Sequence, residues 1–266
     1  MHTRRPNRRA LISRSGIPCR EKIPIWRNNQ TEAWHNSGMC GRYALYGPHS
    51  RLREKMLLAE CPEYGERYNI APQSIIPIIR FKPEIGRVGQ LVKWGLIPSW
   101  AKDPTIGNKL NNARGETVAE KPAFRSSFAK HRCLIPASGF YEWQAIKEGG
   151  KVRKQPYYIC PTEPDSYFAF AGLLAAWKAP SGETIVSTCI ITTEPNEVMA
   201  PIHDRMPVIL QPDLFDAWLD PSNNDTEKLS TMLSPCASEL MLAYQVSPAI
   251  NRGTVEGKES IYPLGR

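Results

Sequence analysis

Short runs of strand-forming residues follow one another along most of the chain, and this pattern limits the possible folds more than any other feature. Turns rich in Pro, Gly and charged residues separate these runs, and the chain contains 24 prolines. The runs are CGRYALY, SIIPIIRF, GQLVKWGLI, RCLIPAS, FYEWQAI, QPYYIC, YFAFAGLL, TIVSTCIITT and RMPVILQ. Helical spacing is rarer and predicts short helices at Ser50–Glu60, Asp213–Leu219 and Asp225–Leu233, the last capped by Asp225. Because the strands do not alternate with long helices, we expect one α+β domain with a curved, mostly antiparallel sheet.

The formal net charge of +8 is concentrated in residues 1–38. This segment contains eight Lys or Arg and two Glu, which leaves 26 basic and 24 acidic residues from Met39 onward. The segment has no helical or strand period, so we predict that it is disordered. It lacks the apolar core of a secretory signal, which leaves an Arg-rich transit peptide or, as we favour, an upstream extension of the reading frame. We expect residues 39–266 to form the catalytic domain.

The spacing of cysteine and histidine argues against a metal site. The seven cysteines include no CxxC pair, and no two of the five histidines are four residues apart. An odd number of cysteines without an export signal predicts reduced thiols and a cytoplasmic location. The longest apolar runs stop near ten residues, about half of what a bilayer requires. We therefore expect no metal, no other cofactor and no membrane partner.

Four segments place polar residues among apolar neighbours in a way that strand packing alone does not explain. They are MCGRY, NNARGET, GFYEW and IHDRMP. Each has a structural explanation when it is taken alone: Glu142 as a strand-edge residue, His203 as a satisfied core histidine, Asn112 as a helix cap, and Arg114 with Glu116 as a surface ion pair. Together they indicate a site that combines thiol, amide, carboxylate and imidazole groups.

In combination and in this order, the motifs resemble those of the SRAP (SOS response-associated peptidase) family, whose members process abasic sites in DNA. The resemblance covers about residues 39–250. The motifs that carry it are MCGR, RYNIAPQ, WGLIPSW, NNARGET, CLIPASGFYEW, QPYYI, FAGLL and TTEPN…IHDRMPVIL. The resemblance implies an α+β domain with a barrel-like core that acts as a monomer on single-stranded DNA containing abasic sites.

The resemblance also implies that the initiator Met39 is removed and that Cys40 becomes the first residue. The open-chain form of an abasic site is an aldehyde, which a neutral amine attacks to form an imine. An α-amine has a pKa near 8 and is partly neutral at pH 7, unlike lysine with a pKa near 10.4. The thiol of the same residue can then close a five-membered thiazolidine ring. With residues 1–38 attached, Cys40 has an amide nitrogen and cannot form the imine.

Further site residues follow from matching the motifs position by position. Glu142 would orient or deprotonate the amine, and His203 would move protons during opening of the sugar ring and formation of the imine. Asn112 would hold the sugar atoms, and Arg114 would bind the flanking phosphate.

The DNA strand would also contact Arg42, another cation for backbone oxygens. Asn69, Pro72 and Trp100 would stack on bases or wedge between them.

Two other classes of function are compatible with the residue types. The first is a thiol peptidase in which Cys40 and His203 act with Asn112 or Glu142, either on other proteins or only on its own N-terminus, and a lyase step at the abasic site is a related expectation. The second is a DNA-binding module without chemistry, in which Cys40 is merely buried. A covalent protein–DNA adduct would exclude the binding module.

Overall fold

The computed structural model describes residues 41–251 and 255–265. The predictions for the basic segment 1–38, for Met39 and for Cys40 lie outside the described residues.

Most of the regular structure in this part of the chain is β-strand. The strands are β1 Arg42–Leu45, β2 Arg67–Ile70, β3 Ile75–Lys82, β4 Gly86–Trp94, β5 Asn112–Arg114, β6 Arg132–Ala137, β7 Gly139–Glu148, β8 Lys151–Pro161, β9 Phe168–Lys178, β10 Thr184–Thr193, β11 Met206–Pro207 and β12 Met241–Gln245. The α-helices are α1 His49–Lys55, α2 Arg125–Lys130, α3 Phe215–Leu219 and α4 Thr226–Ser230. The prediction of an α+β fold with a few short helices is therefore confirmed.

The strands form two sheets, one of which closes into a barrel. The first sheet has the order β12-β8-β7-β1-β2 and is antiparallel throughout. In the second sheet, β4, β3, β6, β9 and β10 are consecutive neighbours, and β10 pairs with both β9 and β4, which closes a five-stranded ring. Among the strand pairings of the described residues, only the short ones of β10 with β4 and with β5 are parallel, and one isolated bridge, between Glu60 and Val88, is parallel as well. The predicted curved, mostly antiparallel and barrel-like sheet is thus confirmed.

The two sheets pack against each other through a core of large aromatic side chains. Tyr43 of the first sheet makes edge contacts with Trp94 and Phe170 of the barrel, at ring-centroid distances of 5.5 and 6.2 Å. Phe140 packs on Phe170 at 5.8 Å. Aromatic contacts of this kind add to the free energy gained by burying apolar area. They fix the ends of β1 and β7 against the barrel, where the site residues lie.

The helices lie on the outside of the barrel and are mostly those that the sequence predicts. Asp225 caps α4 as expected, because its carboxylate accepts hydrogen bonds from the backbone N–H groups of Glu227 and Lys228. The helix predicted over Ser50–Glu60 is shorter than expected: α1 ends at Lys55, and Leu57 adopts a left-handed φ of 53°. Within the described residues, no helix has both the length and the apolar character needed to span a bilayer.

Candidate functional site

Strand β7 presents a carboxylate toward the interface between the two sheets. Side chains alternate between the faces of a strand, so Phe140, Glu142 and Gln144 share one face. This face is turned toward the barrel, because Phe140 packs on Phe170. Glu142 is only 2% exposed and lies opposite Tyr157 of β8. A buried carboxylate is costly unless it is paired, and β7 lies between β8 and β1, so Glu142 is not a strand-edge residue; its role in catalysis stays a prediction.

The described chain begins next to this carboxylate. In the antiparallel pairing of β1 with β7, Arg42 is opposite Tyr141 and Tyr43 is opposite Phe140. Continuing the same register by one residue sets Gly41 beside Glu142. Cys40, the predicted nucleophile, directly precedes Gly41 in the sequence and lies outside the described residues.

His203 is brought to the same place by the connection between β10 and β11. Its Nε2 atom lies 3.9 Å from the Oε2 atom of Glu142, and its side chain is 13% exposed. The backbone N–H of Arg205 donates a hydrogen bond of 3.1 Å to Nδ1 of His203. A ring nitrogen that accepts carries no proton, so this bond favours the neutral tautomer protonated on Nε2, the nitrogen that faces Glu142. The structure therefore brings two of the predicted catalytic residues together and favours one tautomer of the histidine.

Burial determines the charge of this histidine. The pKa of His203 is lowered from its ordinary value mainly because burial disfavours the imidazolium form. The Asp204 carboxylate, 3.0 Å from Nδ1, opposes this shift but is 80% exposed and well solvated. The neutral form of His203 is thus favoured at pH 7, and its N–H group can donate a hydrogen bond.

Asn196, in the TTEPN motif, shapes the turn that precedes His203. Its side-chain oxygen accepts a hydrogen bond of 3.0 Å from the backbone N–H of Met199, and its amide nitrogen donates to the carbonyl of Cys236. The backbone carbonyl of Met199 in turn accepts from the N–H of His203 at 2.9 Å. The motif therefore acts as a folded turn that fixes the backbone entering the site.

An ion pair that the sequence did not predict links the NNARGET and IHDRMP motifs. The guanidinium of Arg205 contacts both carboxylate oxygens of Glu116, with Nη2 to Oε2 at 2.8 Å, and also donates to the carbonyl of Thr192 at 2.8 Å. The hydrogen bond from Arg205 lowers the pKa of Glu116 below its ordinary range. Glu116 therefore forms its ion pair with Arg205. The surface pair with Arg114, which the sequence also allowed, is not formed. Glu116 belongs to the NNARGET motif and Arg205 to the IHDRMP motif. Opposite charges in two site motifs were the only indication of this pair in the sequence.

Asn112 and Arg114 lie on the short strand β5, which runs beside the end of β10. Asn112 is opposite Ile190 and Arg114 is opposite Thr192. Asn112 is half-buried, whereas Arg114 is exposed. Thr192 also accepts from Arg205, so β5 and the turn after His203 meet at this residue. Asn112 is a strand residue and not a helix cap, and its predicted contact with the sugar stays a prediction.

Arg42 and Asn69 contact each other. Nη1 of Arg42 donates a hydrogen bond of 2.8 Å to Oδ1 of Asn69, and Nδ2 of Asn69 donates to the carbonyl of Val255 at 2.7 Å. Asn69 is 2% exposed, so in this structure it orients Arg42 and offers little surface to a base. Arg42 pairs with Tyr141, which places it on the face of the first sheet opposite that of Glu142.

Trp100 and Pro72 lie in loops of the described chain. Trp100 is 58% exposed, and its indole N–H donates to the carbonyl of Pro122 at 3.3 Å. An exposed ring held at one edge is suited to stacking, as the DNA-binding prediction requires. Pro72 is partly buried in the turn between β2 and β3, which also contains Gln73 with a left-handed φ of 72°. Contact of Trp100 and Pro72 with DNA stays a prediction.

The described residues contain no group of three His, Cys, Asp or Glu side chains placed to hold an ion. What the site offers is a buried carboxylate, a neutral histidine with a directed N–H group, and two motifs clamped together by a bidentate ion pair. Such a site can donate and accept protons beside the first described residue, Gly41.

Comparisons with known proteins relate most of this chain to one family. The family model described as SOS response associated peptidase (SRAP) matches residues 39–253. The abasic site processing protein YoqW of Bacillus subtilis (strain 168) is 43% identical over 217 residues, which cover 80% of this chain and 94% of that protein. The abasic site processing protein HMCES of Xenopus tropicalis is 34% identical over 218 residues, which cover 71% of this chain and 63% of that protein.

Solved structures show the same fold. A crystal structure of a protein from Bacteroides thetaiotaomicron superposes with a TM-score of 0.72 at 27% identity, covering 84% of this chain and 99% of that one. The matched domain therefore accounts for nearly all of that solved chain.

Proposed function

This chain belongs to the SOS response associated peptidase (SRAP) family, and we propose that it captures abasic sites in single-stranded DNA through a covalent bond to Cys40. The relatives that cover most of its length are abasic site processing proteins, which supports a role in the response to DNA damage. The proposal requires that Cys40 become the first residue, so that its amine and its thiol are both available.

Formation of the proposed adduct needs no cofactor. The amine of Cys40 adds to the aldehyde carbon of the opened sugar, and the carbonyl oxygen leaves as water when the C=N bond forms. The thiol sulfur then adds to the imine carbon while its proton passes to the nitrogen, which closes the thiazolidine ring. Because amine and thiol belong to one residue, ring closure is intramolecular and is favoured by a high effective concentration.

The geometry around Glu142 and His203 carries the proposal. Glu142 is buried, and the register of β1 with β7 sets it beside Gly41, the residue that follows Cys40. Its carboxylate can accept a proton from the ammonium form of the Cys40 amine. His203 presents its Nε2 nitrogen at 3.9 Å from the same carboxylate; the neutral ring can donate a hydrogen bond to the departing sugar or carbonyl oxygen, and the ring can transfer a proton to that oxygen once it has itself been protonated. A carboxylate that accepts protons and an imidazole that moves them thus flank the position at which the described chain begins.

The test compares the 266-residue chain with a form that begins at Cys40, each verified by intact mass, on an oligonucleotide containing one abasic site. We expect an adduct that survives denaturing electrophoresis only from the form beginning at Cys40. Cys40→Ser, prepared with the same N-terminus, should form an imine that borohydride traps but no stable adduct without it. An equally heat-stable adduct from Cys40→Ser, or from the intact 266-residue chain, would overturn the mechanism.

A peptidase that acts on its own N-terminal segment is the second candidate, because the family description contains that activity and the site pairs a histidine with a carboxylate. A thiol peptidase needs a histidine nitrogen free to take the proton of the thiol. In this site Nδ1 accepts from Arg205 and Nε2 carries the proton, which favours the histidine as a donor. Release of residues 1–39 by the purified wild type, and its loss in Cys40→Ala, would support self-processing.

A further inference from the structure

A row of polar side chains runs across the first sheet and ends on the loop that carries His203. The amide nitrogen of Gln144 on β7 donates a hydrogen bond of 2.8 Å to the carbonyl oxygen of Pro201. The hydroxyl of Tyr157 on β8 donates to the amide oxygen of Gln144 at 3.2 Å, and the amide nitrogen of Gln245 on β12 donates to that hydroxyl at 3.0 Å. Each group therefore fixes the orientation of the next one.

This row meets the site from the side of Glu142. Gln144 and Glu142 are two residues apart on one strand, so their side chains lie on the same face of β7. Pro201 is two residues before His203 in the loop between β10 and β11. One short stretch of rigid strand therefore holds both the carboxylate and the backbone that positions the histidine.

The direction of the amide matters as much as its presence. Because Tyr157 donates to the oxygen of Gln144, the nitrogen of Gln144 is turned toward Pro201. A backbone carbonyl can only accept, so the contact requires a donor at residue 144. An apolar side chain of equal length fills the same space but leaves the loop untied, and a carboxylate repels the carbonyl.

We propose that Gln144 is a positioning residue for His203: its amide nitrogen ties the carbonyl of Pro201 to β7 and so holds the imidazole against Glu142. The proposal rests on the proposed function for its rate measurement, but the placement of the ring can be measured without DNA. Loss of a single neutral hydrogen bond predicts about a three- to tenfold slower reaction.

The experiment compares three substitutions of Gln144 in the form that begins at Cys40. Gln144→Met keeps the length and removes the donor, Gln144→Glu keeps only acceptors, and Gln144→Lys keeps a donor with sufficient reach. The measured quantity is the single-turnover rate of adduct formation at saturating abasic DNA, so that changes in DNA affinity do not enter. We expect Met and Glu to be slow and Lys to retain most of the wild-type rate. Gln90→Met, the same change on barrel strand β4, is the matched control and should react like wild type.

A packing role for Gln144 predicts the opposite order, with Met tolerated and Lys impaired, and that order would overturn the proposal. The second measurement is the ¹⁵N spectrum of the His203 ring in the 266-residue chain without DNA. We expect the single Nε2–H tautomer in wild type and in Gln144→Lys, and a mixture of tautomers in Gln144→Met. If wild type forms no adduct, the proposed function fails, while the tautomer measurement still decides the role of Gln144. An unchanged His203 spectrum in Gln144→Met would overturn it.

Discussion

The Nε2 atom of His203 lies 3.9 Å from the Oε2 atom of Glu142, although Glu142 is on a strand of the first sheet and His203 is in a loop that joins two strands of the second. The carboxylate is held by the rigid strand β7, whereas the imidazole comes from a loop tied down at Asn196, Gln144 and Arg205. Both groups are largely withdrawn from water, so their interaction is screened less than that of a surface pair. Glu142 and His203 therefore form the centre of the candidate site.

Replacing His203 with Ala should slow adduct formation by roughly 10² to 10⁴, the usual range for a general acid or base. A substrate analogue locked as an open aldehyde should recover much of this loss, because ring opening then needs no proton transfer. Single-turnover rates and melting temperature are measured together on the form beginning at Cys40. A packing role predicts a lower melting temperature with a rate within about threefold of wild type, and that result would remove His203 from the site.

The stability of the fold should fall on acidification partly through His203. Its pKa in the folded protein is lowered by burial, so the unfolded chain binds a proton first as the pH drops below about 6.5. The contribution of His203 to the free energy of unfolding is therefore complete above about pH 6.5. It is lost as the pH falls toward the lowered pKa of His203 in the folded protein. Urea unfolding at pH 7.5 and 5.5 should show a larger loss for wild type than for His203→Asn. Because the pKa of His131 is lowered as well, only the difference between wild type and His203→Asn tests His203, and equal losses would contradict the prediction.

Much of the fold follows from local patterns in the sequence. The strand-like runs coincide with β1, β3, β4 and β6 to β11, and Asp225 caps a helix as expected. The short strands β2, β5 and β12 were not predicted, because three to five residues show too little alternation to be distinguished from a loop. Such strands form only through pairing with distant strands. Closure of the barrel through the parallel contact of β10 with β4 likewise has no local signature.

The candidate site was predictable as a set of residues but not as an arrangement. Glu142 and His203 come together as the motifs suggested, yet the sequence could not show that Arg42 and Glu142 face opposite sides of one sheet. The link between Glu116 and Arg205 depends on contacts between segments far apart in the chain. Such partners are chosen by tertiary packing, which residue type and spacing alone do not specify.

Glu116→Gln should weaken the clamp between the two motifs. The neutral amide cannot form the charged bidentate pair with Arg205, whose backbone N–H fixes the tautomer of His203. We expect a loss of about 0.5–1 kcal/mol in the free energy of unfolding at pH 7, since Glu116 is half exposed, and adduct formation slowed by about three- to tenfold. The pKa of Glu116 is lowered in the folded protein, so the stability difference should be complete above the ordinary glutamate pKa of 4.5. It should decrease as the pH falls below 4.5 and disappear once the pH is below the lowered pKa of the folded protein. Glu120→Gln, a change at an exposed glutamate, is the control. Equal stabilities and equal rates for the two variants would contradict a role of Glu116 in holding the motifs together.

Arg132→Met should destabilise the fold by about 3 kcal/mol or more, because it leaves several buried carbonyl groups without a donor. Arg132 is 4% exposed, and its guanidinium donates to the carbonyls of Phe128, Ala129, Trp218, Asp220 and Asn223, which surround the ends of α2 and α3. Urea denaturation measures the effect, with Arg125→Met on the exposed side of α2 as control. A change below about 1 kcal/mol would show that water replaces the guanidinium.

Single-stranded abasic DNA should react faster than a fully paired duplex, because an exposed ring such as Trp100 can stack only on bases that are not paired. The nearly balanced charge from Met39 onward predicts few phosphate contacts and a shallow dependence of affinity on salt. We expect exposed Arg114, beside the end of β10, to be the foremost of these contacts. Arg114→Ala should then weaken binding to single strands of any sequence and reduce the slope of log K against log salt by about 0.7. Lys178→Ala removes an exposed cation at the end of β9 and should leave the slope unchanged. Equal adduct yields on single-stranded and paired substrates, or equal salt slopes for Arg114→Ala and wild type, would contradict this placement of the strand.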